Sequence, residues 1–276
     1  MVNRKQLDPE DGPQAAFGAR LRMKRDARGW TQDELADRIG CTGSHISAVE
    51  TGRRPPTRRF AASVDRVFDT GDQFERQSMA VRRTALLEGF PEYVAHEGRA
   101  AEIRLFESGV IPGPLQTREY ASALADAAAR RGDITPEQAA ERVDYLIGRQ
   151  AAIDRMPPPL IFAVLDESCI RRPIGGADVM DAQLARLIEF AALPNTGLQI
   201  APYSLGENKP FVRMVFLLTL PDRSLMSYVE SQTQGHLDRE LSSVLPLVRN
   251  YHQLQIAAIS QAESVAMIEE LRKGIV

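Results

Sequence analysis

The sequence predicts an all-α head of five helices followed by a mixed α/β (α+β) body. Three observations carry this. Helix-capping residues recur at short intervals through the first 72 residues, with no strand-like run among them. Short β-branched apolar runs begin only after about residue 100, where they alternate with helical stretches. Charge also divides the chain: residues 1–83 hold 16 Lys+Arg and 12 Asp+Glu, whereas 84–276 hold 18 and 25. A length of 276 residues suits two domains. The boundaries expected are a head at 14–72, a helical linker at 73–99 and a body at 100–276.

In the head, Phe17 and Leu21 stand four apart in AFGARLRMKRDARG, and Gly29 ends that helix as a C-cap would. Thr31 precedes QDELADRI as an N-cap, with Glu34 completing a capping box and Leu35, Ala36 and Ile39 forming the apolar stripe. Gly40 follows, and a third helix starts after Thr42 and closes at Gly52. Pro55 and Pro56 lead to the N-cap Thr57 of a fourth helix, with Phe60, Val64, Val67 and Phe68 on one face and Gly71 at its end. DQFERQSMAVRRTALLE reads as a fifth, from Asp72 to about Glu88.

Spacing within 32–52 is the informative part. Counted from Gln32, Ala36 is fifth, Gly40 ninth, Ile46 fifteenth and Val49 eighteenth. Two short helices crossing at roughly 90–120° need a small side chain where they touch, which Ala36 supplies. The tight turn between them needs a residue that tolerates positive φ, hence Gly40. Ile46 and Val49 then bury the inner face of the third helix, leaving Gly43, Ser44, His45, Ser47 and Ala48 outward or near its exposed start. This is the pattern of a helix-turn-helix, whose second helix enters the major groove of DNA. Ten basic and five acidic residues within 20–59 fit a surface for phosphate; the same charges would also serve as an ordinary solvated face.

The body reads less sharply. Ile103 and Leu105 alternate with charged residues as in a half-buried strand. Thr117 caps a helix over REYASALADAAARR, and Thr135, Pro136 and Gln138 open another that runs to about Arg155. LIFAVLD at 160–166 is an apolar strand, and VMDAQLARLIEFAAL an amphipathic helix burying Leu184, Leu187, Ile188 and Ala191. LQIAPYS follows Gly197; VRMVFLLTL and SLMSYVE form a hairpin about Pro221-Asp222-Arg223. From Gly235 the chain is expected to be helical again, with a capping box at Ser260-Gln261-Ala262-Glu263 and a stripe of Val265, Ile268 and Leu271.

Little here carries covalent chemistry. His45, His96, His236 and His252 are scattered without metal-ligand spacing, and neither a phosphate loop nor a nucleophile elbow occurs. No metal, no cofactor and no enzymatic activity are expected. Asp166-Glu167-Ser168 ends a strand, where it is expected to cap the next turn rather than catalyse; Glu97, Glu230 and Gln183 are expected to hydrogen-bond in a core or interface. Two cysteines, Cys41 and Cys169, imply no disulfide framework. Cys41 is expected as a small core residue, since a redox role would need a depressed thiol pKa. The opening residues lack the apolar core of a signal peptide, and no run approaches the ~18 apolar residues that span a bilayer. The expected location is cytoplasmic.

GARLRMKRDARGWTQDELADRIGCTGSHISAVETGRRPP resembles the helix-turn-helix domain of the phage λ/434 repressor and Cro family, the Xre type, over about residues 14–72. The resemblance implies a λ-repressor-like DNA-binding domain. It places a phosphate donor at Gln32, base-edge contacts at Thr42, Gly43 and Ser44 with Ala48 one turn on, and phosphate contacts at Arg53 and Arg54. It also implies a buried Arg25–Glu50 pair tying helix one to helix three. His45 and Ser47 complete the expected DNA-binding set. Gly43 and Ala48 cannot make the bidentate base contacts that supply roughly 1–3 kcal/mol of discrimination each. Selectivity is therefore expected to be modest per head, and a homodimer is expected to reach two half-sites about one helical turn apart.

The body carries a resemblance of its own. GVIPGPLQTREYASAL, LDESCIRRPIGG, VMDAQLARLIEFAALPNTGLQIAPYSLG and ISQAESVAMIEELR are similar to the domain of unassigned function that follows such heads in actinobacterial regulators. What this implies is a transcriptional regulator controlled through its body by a small partner protein encoded nearby, or by a ligand. The alternative it leaves open is an antitoxin that neutralises a small cognate protein and autoregulates its operon.

Overall fold

The computed structural model describes residues 13–84, 90–150, 155–231 and 235–274, which separate into two units between 84 and 90. In the first, α1 (Pro13–Ala27), α2 (Gln32–Ile39), α3 (Gly43–Glu50), α4 (Arg58–Phe68) and α5 (Gln73–Thr84) surround a single apolar core. Phe17 and Leu21 of α1, Leu35 and Ala36 of α2, Ile46 and Val49 of α3, and Phe60, Val64 and Phe68 of α4 meet there. Phe74 of α5 closes it, edge-on to Phe17 at 5.3 Å.

Local chemistry ends α1 and α2 where the sequence marks it. Trp30 N donates to Arg25 O and Gly29 N to Asp26 O, with Gly29 at φ +68, a C-cap that satisfies the last carbonyls of α1. Thr31 and Glu34 form a full capping box on α2, and Gly40 takes φ +80 after it. The end of α4 differs from expectation. Its left-handed residue is Asp69 (φ 54), and Gly71 lies two residues further on in the turn to α5. A short polar side chain tolerates that conformation. The fifth helix matches the expected one as far as Thr84; residues 85–88 of that expectation lie outside the described residues.

In the second unit, six strands run in the order β3-β2-β1-β4-β5-β6. They are β1 (Glu102–Glu107), β2 (Leu160–Asp166), β3 (Thr196–Ala201), β4 (Val215–Thr219), β5 (Leu225–Glu230) and β6 (Gly235–Asp238). β1, β2 and β3 pair in parallel; β4, β5 and β6 are antiparallel to their neighbours. The crossovers that parallel pairing requires are α7 (Arg118–Arg130) with α8 (Pro136–Gln150), then α9 (Glu167–Arg171) with α10 (Ala177–Ala191). The expected end of α8 near Arg155 involves residues 151–154, outside the described set. α6 (Phe90–Glu97) precedes the sheet, α11 (Leu241–Ala257) and α12 (Gln261–Lys273) follow it. The stretch expected as a linker, 73–99, thus gives α5 to the head core and α6 to the body core, through Tyr93.

Two expectations about strands are corrected. The strand around Ile103 and Leu105 is central and covered on both faces: those two side chains join one core cluster, and across the sheet Phe106 joins another while Glu102 and Arg104 are half-buried. Helix does not resume at Gly235. Residues 235–238 form β6, with Tyr228 opposite Leu237, and α11 starts at Leu241. Four residues show no legible alternation, so pairing with the edge of β5 decides their conformation.

The outer edge of β3 is closed by the start of α12. Gln261 Oε1 accepts from Leu198 N at 3.0 Å and Ser264 Oγ from Ile200 N at 2.9 Å, while Ile259 N donates to Ile200 O. An open edge is thereby denied to other strands. One face of the sheet packs on α6, α7, α9, α10 and α12; the second carries α11, through Tyr251 and Leu254.

Candidate nucleic-acid interface

The interface is assembled on the pair α2–α3. Gly18 lets α1 approach α3: a Cβ there would lie 2.6 Å from Val49 O and 3.0 Å from Glu50 O. Glu50, fully buried at the end of α3, accepts a fork from Arg25, with Nε to Oε1 at 2.6 Å and Nη2 to Oε2 at 3.0 Å. That hydrogen bond holds the Arg25 guanidinium above its ordinary range, against the effect of burial. Arg25 also donates to Trp30 O at 2.8 Å, so one guanidinium fixes the end of α1, the entry to α2 and the end of α3. Nη1 of Arg25 contacts Asp26 as well, at 2.6 Å. The ion pair expected from the resemblance is the central strut of the head.

Gln32 joins the same cluster. Its Nε2 donates to Glu50 Oε2 at 2.9 Å, and the side chain is half-buried. The amide carries a second hydrogen that this bond does not use. Thr42 caps α3, accepting from His45 N at 3.3 Å, and its hydroxyl also meets Ser44 Oγ at 3.0 Å. Both Thr42 and Ser44 are exposed. Gly43, Ser47 and Ala48 are partly covered. His45 is half-buried, with its ring stacked on Phe60 of α4 at 5.0 Å. It packs α3 against α4, and the outward role expected for it is left to its neighbours.

Arg53 is exposed and lies back toward α3: Nε donates to Thr51 Oγ1 at 3.0 Å and Nη2 to Ser47 Oγ at 3.5 Å. Arg54 is partly covered. The turn carrying both is fixed by a C-cap in which Gly52 (φ 66) donates to Val49 O, and Arg53 N and Arg54 N both donate to Ala48 O.

Sequence reasoning missed three residues here. Gly18 has its role only in the assembled helices, whereas Thr51 acts locally, donating to Ser47 O and accepting from Arg53 Nε. Asp33 is the third: a Cβ on Gly43 would stand 1.8 Å from its Oδ1, so its carboxylate lies over the start of α3. The positive end of that helix accommodates it. Trp30 and Arg38 add a cation–π contact of 4.3 Å beside α2. Cys41 packs at the margin of the head core, and burial pushes its thiol up, away from a reactive thiolate.

The polar residues singled out in the body hold structure together. Glu97 takes a bidentate contact from Arg149 and a hydrogen bond from Tyr93 Oη at 2.7 Å. Gln183 accepts from Thr117 N and donates to Leu115 O. Glu230 accepts from Tyr228 Oη, and Asp166 caps α9 while pairing with Lys209 at 2.6 Å.

Residues 90–270 match the family described as a domain of unknown function, DUF5753. The chain belongs to that family. Residues 16–78 match a helix-turn-helix domain. The pairing is the one the sequence resemblance implied, and a helix-turn-helix head marks a DNA-binding regulator. No match was found among curated proteins or solved structures. No described helix is long and apolar enough to cross a membrane.

Proposed function

We propose that this protein is a homodimeric transcriptional regulator that reads duplex DNA with α3 and is controlled through its body by a small partner protein. The observation that carries the reading is the surface of α3: Thr42 and Ser44 exposed at its start, with Arg53 tethered by Thr51 and Ser47 across its end. A tethered guanidinium loses less side-chain freedom on meeting a phosphate. Arg53 and Gln32 serve the phosphates in this account, and Arg54 lies beside them. Thr42, Gly43, Ser44, Ser47 and Ala48 face the bases. Arg25 and Glu50 hold the helices that present them.

Short side chains at the bases give each head modest selectivity, which supports a dimer on paired half-sites. Control by a partner is supported by the resemblance of the body and by its exposed Leu241, Leu245 and Ile256. The reading assigns the body no catalytic step.

Selection from random duplexes tests it. The full chain should enrich a two-fold symmetric site with half-site centres about 10–10.5 base pairs, or a multiple, apart. Enrichment of no motif, or of a lone half-site, would count against the dimeric reading.

A further inference from the structure

The geometry points to the outward face of α11 as the docking site for an acidic, leucine-bearing helix of another protein; this rests on the partner-controlled reading above. α11 is apolar on two sides. Tyr251 and Leu254 are buried against the sheet, and Val244 is buried as well. Leu241 (53% exposed), Leu245 (51%) and Ile256 (86%) face away from it. At 3.6 residues per turn, positions 241, 245, 249, 252 and 256 fall within about 80° of one another, a stripe about 22 Å long. A surface helix that covered a sheet and nothing else would carry polar residues there. A shallow groove of 430 Å³ runs beside its first half, between Leu241, Ser242, Leu245, Pro246 and Arg249.

Charge selects the occupant. The body is acidic, with 25 Asp+Glu against 18 Lys+Arg in 84–276. Residues 241–257 contain no Asp or Glu, and the stripe includes the exposed Arg249 and His252. The stripe's one charged side chain, Arg249, stands at its middle with His252 beside it, and the nearest carboxylate, Glu240, is engaged at the helix start as the cap on Ser242 N. Such a stripe complements a helix with leucines at i, i+3, i+4 and i+7 flanked by carboxylates. A second copy of this chain fits poorly. Arg249 is the middle residue of α11, so a two-fold axis across the helix would set Arg249 against itself.

The test uses the full chain and two labelled synthetic helices with the same leucine spacing, one with glutamate and one with lysine at the remaining positions. Fluorescence anisotropy should show the glutamate peptide binding at least about tenfold more tightly than the lysine peptide. Leu245→Glu and Arg249→Glu should each weaken it by about tenfold or more. Circular dichroism monitors folding, and if Leu245→Glu unfolds the chain, Arg249→Glu alone decides. Equal affinity for the two peptides, no binding, or binding indifferent to Arg249→Glu would overturn the proposal. So would light scattering that shows Leu245→Glu turning a dimer into a monomer, since the face would then belong to a second copy. Duplex-DNA binding by the wild type is measured in parallel. Its failure would refute the regulatory reading while leaving the peptide comparison to judge the surface.

Discussion

Glu50 accepts from Arg25 and Gln32 and is fully buried, so one carboxylate joins three helices of the head. Glu50→Ala would leave the Arg25 guanidinium buried without its main counter-charge. The expected loss is about 3–5 kcal/mol of head stability, read by denaturant unfolding. Gly18→Ala should cost about 1–3 kcal/mol in the same assay, because its Cβ meets backbone that can yield only by moving α1 from α3. Asp33 bears on function rather than stability. Its carboxylate lies beside Gly43, on the face proposed to meet DNA, so removing its negative charge in Asp33→Asn should tighten binding to all duplexes; unchanged or weaker binding would show that the carboxylate faces elsewhere in the complex. Of these residues, Arg25 and Glu50 were legible through the resemblance of the head. Gly18 and Asp33 were not, because their reasons lie in a neighbouring helix that no local pattern reports.

Among the elements, legibility followed length and punctuation. The capping boxes at Thr31, Thr135 and Ser260 all form. The hairpin about Pro221-Asp222-Arg223 forms as well, with Arg223 at φ +67. β6 escaped because four residues carry no period, and β1 was read as half-buried because Phe106 alone reports its second face. The end of β1 makes a pH prediction. Burial, and secondarily the charge of Glu230, pushes the Glu107 carboxyl from its ordinary 4.5 up to about 7. The folded state then binds the proton more tightly than the unfolded chain. Stability from this group is full below about pH 4.5 and is lost as pH rises toward 7. The loss should amount to roughly 1–3 kcal/mol. Glu107→Gln should flatten that part of the profile in pH-dependent urea unfolding of the body, and an unaltered slope would assign the effect to another group.

At the scale of the whole molecule, a basic head precedes an acidic body, and each unit has its own core. That division was legible in charge and in the switch of apolar period. The residues that would choose an operator were less so: the motif shows where α3 points, and short side chains at Gly43, Ser44 and Ala48 say little about which bases they meet. His45 shows the limit most directly, since its place beside Phe60 depends on α4. In the proposed complex α3 and the turn after it dock on duplex DNA, with Arg53 on a phosphate. That docking is tested most directly by the salt dependence of duplex binding for wild type and Arg53→Ala. Arg53→Ala should bind more weakly at every sequence, with a slope of log K against log[salt] shallower by about one. Unchanged affinity with an unchanged slope would contradict it.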